Sequence, residues 1–235
     1  MMFLFIGAAT LNLYAATLVI LRAIVYRQKL YRPMLLNIVL SMLPILLLGL
    51  AFIALLALLP INRTLAFGGV TLLGVAWLLM LPNASYLITE LNQSHRSEND
   101  PVPLWYDIIL VISLAMSGVI NTIVNVFVAQ LLYSVILFDD RAISFFRPRS
   151  MIMLAAVLLL VGLGMYLGRY LRVNSWDVRH PVAFAGKVRQ HFLVRGNALA
   201  CFGFTLTYAV FIGILYLTIV SPIVAGLYEL ELARQ

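Results

Sequence analysis

The chain has 235 residues, 63% of them hydrophobic and only 11% charged, with a formal net charge of +7 and a mean hydropathy of +1.03. That balance excludes a water-soluble enzyme or binding domain, because several apolar runs reach the ~20 residues that a bilayer-spanning helix needs. The expected class is all-α, a polytopic transmembrane bundle of about six helices forming one domain over residues 1–235.

The first apolar run covers residues 3–26. It carries no Lys or Arg before Arg22, so it lacks the positive leader of a cleaved secretory signal. The second covers residues 34–59 and the third residues 64–81, where Pro82 disfavours helix in the residue before it. The fourth is read as residues 104–130, yet apolar character continues to Phe138. That is long for one perpendicular helix and short for two spans, and no Pro or Gly pair interrupts it. One tilted helix emerging towards Asp139 and Asp140 is expected, with a seventh, re-entrant piece near residues 130–150 as the rival. The fifth and sixth runs cover residues 151–171 and 197–222. Between them, residues 172–196 are basic and too short to build a core.

Six spans put linkers one, three and five on one face, with eleven of the sixteen Lys and Arg residues; the other face holds five. The positive-inside bias makes the richer face cytoplasmic and places both termini outside a cell membrane crossed several times. The cluster at Arg141, Arg147 and Arg149 pulls the other way. The loop-clustered positive charge points to anionic lipid headgroups as partners. It does not point to nucleic acid, since no polar domain interleaves basic residues with stacking aromatics. Cys201 is the single cysteine and sits in an apolar run, so no disulfide or Cys-based metal site is expected. Asn-x-Ser/Thr triplets at Asn62, Asn83 and Asn92 are not expected to be glycosylated, two of them falling at membrane depth or on the cytoplasmic face.

The polar residues of linkers three and five gather at that face. The third span ends in Leu81-Pro82-Asn83-Ala84-Ser85-Tyr86-Leu87-Ile88-Thr89-Glu90-Leu91, the fourth begins Leu104-Trp105-Tyr106-Asp107, and the fifth ends in Tyr166-Leu167-Gly168-Arg169-Tyr170-Leu171-Arg172-Val173-Asn174-Ser175-Trp176-Asp177. Helix alternation brings all three to one surface. They supply the carboxylates Glu90, Asp107 and Asp177 as candidate catalytic groups, and Asn83, Tyr86, Arg169, Arg172 and Asn174 as candidate ligand-binding groups. Charge near hydrocarbon is costly unless paired or wetted, so a shared polar pocket is one reading. An interfacial belt of Trp105, Tyr106, Tyr170 and Trp176, with snorkelling arginines, is the other.

These same words resemble DUF1361, a family of uncharacterised bacterial integral membrane proteins, with a weaker match at Asn37 and Pro44 in the second span. Two departures from the family pattern are Ser85, where Pro is usual, and Glu90, where Asp is usual. The family also tends to carry His three residues after that acid, where this chain has Gln93, with His95 two positions on. The resemblance implies the membrane fold and singles out the same residues; it implies no reaction and no cofactor.

His95, His180 and His191 all lie in linkers three and five, but no pair has the spacing that presents two ligands from one helix, so no metal site is expected. Ser85, Thr89 and Ser175 lie near acids without a nucleophile motif. On the fourth span, Asp107, Ser113, Ser117, Gly118, Asn121 and Asn125 fall within roughly 140° of arc at ~100° per residue. This stripe reads first as packing glue between helices and second as a wet path into the membrane. Three functional classes therefore stand: a pocket that binds or processes a lipid-linked ligand, a small-solute or ion transporter, and a non-catalytic assembly partner.

Overall fold

The computed structural model describes residues 2–92, 101–138, 145–171 and 180–233. Six of its helices are long and apolar enough to cross a membrane. In chain order they are α1 (Met2–Val25), α2 (Arg32–Leu58), α3 (Arg63–Tyr86), α4 (Leu104–Phe138), α5 (Pro148–Leu171) and α7 (Asn197–Leu232). A 3-10 segment, Leu87–Asn92, continues α3, and a short helix α6, Pro181–Leu193, precedes α7. The protein is thus an all-α, multi-pass membrane protein, as its composition requires.

Local chemistry explains the starts. Pro33 occupies the first turn of α2, where its missing N–H costs nothing. Asn62 caps α3, its side chain accepting from the Leu65 N–H at 3.1 Å. The third span does not stop before Pro82. It runs on to Tyr86, because the bulk of the proline ring has somewhere to go: a β-carbon built on Gly164 of α5 would lie 2.3 Å from Pro82 Cγ. Pro82 still forfeits the bond to the carbonyl one turn back, and the helix gives way to 3-10 geometry five residues later.

α4 is continuous for 35 residues, about 52 Å against a hydrocarbon core of about 30 Å, so it must tilt or overhang. It is also the central helix: 61% of its apolar window is buried, against 39% or less in the other spans. It touches each of the other five spans. One core cluster joins α2, α3, α4, α5 and α7 around Phe127, Val161 and Ile212. A second joins α1, α2 and the start of α4 around Ala15, Leu110 and Leu114, with Leu87 reaching in from the 3-10 segment.

Close approaches give the directions of the helices. A β-carbon on Gly118 of α4 would lie 2.8 Å from Leu87 Cβ and 2.9 Å from the Ala84 carbonyl oxygen, and one on Gly162 of α5 would lie 2.7 Å from the Thr205 carbonyl oxygen of α7. Ser85 meets Thr122 and Trp77 meets Asn125, so α3 and α4 run antiparallel. Pro82 against Gly164 and Tyr86 against Gly168 make α3 and α5 parallel. The C-terminal ends of α1, α3 and α5 therefore share one end of the bundle with the start of α4.

Candidate functional site

At that shared end the three sequence words are neighbours. The Tyr86 ring lies over Gly168, 3.8 Å from where a β-carbon would stand. One residue on, the Arg169 guanidinium reaches across and donates from Nη1 to the Thr89 carbonyl at 3.1 Å. That carbonyl belongs to the 3-10 segment that continues α3. Arg169 is part-buried, and among the described residues no carboxylate lies within ion-pair distance of it. A guanidinium has five N–H donors, and among the described residues only the Thr89 carbonyl takes one of them. Tyr170 beside it is exposed.

Asp107 makes an ion pair with α1. Its Oδ1 accepts from Arg22 Nε at 2.9 Å, and both side chains are about one-fifth exposed (23% and 19%). One position back, the Tyr106 hydroxyl donates to the Leu18 carbonyl at 2.8 Å and its ring meets Tyr26 edge-on at 5.2 Å. Asp107 is therefore tied to α1. Arg22 is the functional neighbour that sequence reasoning left among the loop cations; its signal was its place at the end of the first apolar run.

Asn83 turns along its own helix, with Nδ2 3.5 Å from Met80 Sδ at the exposed surface of α3. The Glu90 side chain and the whole of Arg172, Asn174, Asp177 and His95 lie outside the described residues.

The polar stripe of α4 faces inward and is met by other helices. Asn121 and Asn12 of α1 exchange amide hydrogen bonds at 2.8 and 2.9 Å, and Asn121 also donates to Ser41 of α2 at 2.8 Å. Asn125 accepts from the Trp77 indole of α3 at 3.1 Å and donates to the Asn121 carbonyl at 2.8 Å. Ser113 and Ser117 donate to carbonyls of their own helix, Ile109 and Leu114. Four helices are thus joined at mid-depth by side-chain amides, a hydroxyl and an indole. The sequence picked out the α4 half of this network and missed Asn12, Ser41 and Trp77. Asn12 was detectable as the lone amide of its span.

Near the opposite end, Gln130 donates to the Phe145 carbonyl at 3.0 Å and to Ser150 at 2.8 Å, and it accepts from the Tyr216 hydroxyl of α7. This fastens α4, α5 and α7 by the same device. Among the described residues, no three His, Cys, Asp or Glu side chains converge as metal ligands would.

No match to this chain is found among curated proteins or solved structures. A family model, described as a protein of unknown function (DUF1361), matches residues 36–219, from within the second span to within the sixth and including every sequence word at the shared end. The chain belongs to the DUF1361 family.

Proposed function

We propose that this protein seats the anionic headgroup of a lipid-linked or amphipathic ligand at the shared end of α3, α4 and α5, on the cytoplasmic side by the Lys/Arg bias. The carrying observation is Arg169. It sits part-buried at the edge of an apolar bundle with one N–H donated to the Thr89 carbonyl and no described carboxylate beside it. A cation so placed wants an anion, and a guanidinium suits the paired oxygens of phosphate or carboxylate. Tyr86, stacked over Gly168, and the exposed Tyr170 give the amphipathic walls such a headgroup would meet. Asp107 is not the counter-ion of Arg169 in this reading. It holds α1 against α4 through Arg22.

The test is retention of anionic lipid by the full chain, purified from vesicles of phosphatidylcholine with phosphatidate and read by native mass spectrometry. A hydrogen bond to a charged group contributes about 1.5–3 kcal/mol, so Arg169→Gln should lower retention about tenfold or more while Arg169→Lys retains part of it. Equal retention by wild type and Arg169→Gln would remove the basis for the proposal.

A further inference from the structure

We infer that α6 is an interfacial helix that lies in the headgroup layer of the protein's own bilayer and holds anionic lipid there through Arg189 and Arg195. The inference is independent of the Arg169 site and rests on where α6 is anchored and what it leaves uncovered.

At 13 residues, about 20 Å, α6 is too short to cross a membrane. Its C-terminal end is nonetheless fixed to two helices that do cross. The Asn197 amide at the start of α7 donates to the His191 carbonyl at 2.8 Å, which sets that amide's orientation. The same nitrogen lies 3.4 Å from His191 Nδ1. His191 Nε2 is hydrogen-bonded to the Tyr166 hydroxyl of α5 at 2.9 Å, and that hydroxyl also reaches the Asn197 carbonyl at 3.2 Å. The chain closes the joint through Gly196, whose φ of +96° favours glycine. Tyr166 lies less than two turns from the end of α5, so this latch places α6 at the membrane boundary.

Its apolar arc is only half used. Phe184, Val188 and Phe192 are half-buried towards the bundle. The arc then continues outward, past the exposed Arg189, to the adjacent Val182, 86% exposed, and Leu193, 70% exposed. From residue 181 to residue 196 the sequence contains no acid. A basic helix with an uncovered apolar strip, held at the level of the lipid headgroups, has the make-up of a surface-lying membrane helix. The strip enters the acyl boundary while Arg189 and Arg195 extend their cations to anionic headgroups.

The test uses the full chain in a Cys201→Ala background, with an environment-sensitive fluorophore on Val182→Cys, reconstituted in phosphatidylcholine vesicles with and without phosphatidylglycerol. With phosphatidylglycerol present, the label should shift to the blue, lose quenching by aqueous iodide and gain quenching by a lipid-borne nitroxide. Arg189→Gln with Arg195→Gln should reverse this, by roughly fivefold per cation in the ratio of surface-bound to free helix, and added salt should mimic the substitution. Both arginines are exposed, so the thermal midpoint of the double variant should match that of the parent. Iodide access that ignores lipid composition, or a double variant indistinguishable from the parent, overturns the inference. So does energy transfer between labels on separate molecules, which would assign the strip to a second copy. Neither substitution touches Arg169, so failure here leaves the Arg169 experiment standing.

Discussion

Replacing Gly164 with alanine sets two opposing effects against each other at one atom. In a helix interior alanine is favoured over glycine by about 1 kcal/mol. Against this, the new β-carbon would arrive 2.3 Å from Pro82 Cγ and 2.8 Å from Pro82 Cβ, where carbon atoms ordinarily rest about 3.5–4.0 Å apart. A flexible side chain would swing away; a proline ring is bonded to its backbone at both ends and cannot. The remaining escape is separation of α3 from α5 by more than an ångström, which would also stretch the 3.1 Å contact of Arg169 with the Thr89 carbonyl. Overpacking of this kind costs about 1–3 kcal/mol, and a clash against a rigid ring belongs at the upper end. The net expectation is a loss of about 2 kcal/mol, measured as the midpoint of reversible unfolding in mixed SDS micelles. Gly49→Ala is the control: nothing lies within 4 Å of its β-position, so it should be neutral or slightly stabilising. Pro82→Ala removes the nearer ring atom, so adding it to Gly164→Ala should recover about 1 kcal/mol beyond additivity. A Gly164→Ala protein with the parent's midpoint, or a loss of the same size whether or not Pro82 is present, would refute this account of how α3 passes its proline.

Two further predictions concern the polar contacts. Asn121→Leu removes three interhelical hydrogen bonds, to Asn12 and Ser41. Membrane hydrogen bonds average about 0.6 kcal/mol each, so about 2 kcal/mol should be lost in the same unfolding assay, whereas an unchanged midpoint would mean the network adds nothing to stability. Arg22→Gln and Asp107→Asn each remove one half of a partly buried ion pair. The double variant should unfold later than the sum of the single losses allows, with a coupling of roughly 1 kcal/mol given the partial exposure of the pair, and strict additivity would contradict the pairing.

Much of the fold was legible because the solvent is so restrictive. In hydrocarbon every backbone polar group must be bonded internally, so long apolar runs have few alternatives to spanning helices. The unbroken run ending at Phe138 is one helix for the same reason. The stripe of α4 pointed inward because hydroxyls and amides find partners only there. Two elements were not legible. The rule that helix avoids the residue before proline is local, and it ended the third span at Leu81; the cavity that accommodates Pro82 belongs to Gly164, eighty-two residues away. Helix α6 escaped notice because Arg189 interrupts its apolar arc, so the stretch read as a basic linker.

For the candidate site, helix alternation assigns each charged residue to a side of the membrane but says nothing of its position around the bundle. That is why the contact of Asp107 with Arg22 of α1 could not be read from alternation alone. The missing angle was nonetheless present in the sequence, encoded by uncharged residues. Asn12 is the lone amide of the first span, and Asn121 lies in the middle of the polar stripe of the fourth. In an apolar medium each is better off with the other, and pairing them sets α1 antiparallel against α4. Ten residues forward from Asn12 stands Arg22; fourteen residues back from Asn121 stands Asp107. Two antiparallel helices with equal rise per residue bring such positions to within about one turn of each other, and a long arginine side chain covers that difference. The Tyr106 hydroxyl on the Leu18 carbonyl adds a further contact between α1 and α4 at that end. The ion pair at the boundary is thus a consequence of the amide pair at mid-depth, and the orientation of charge at the candidate site is inherited from neutral contacts far from it.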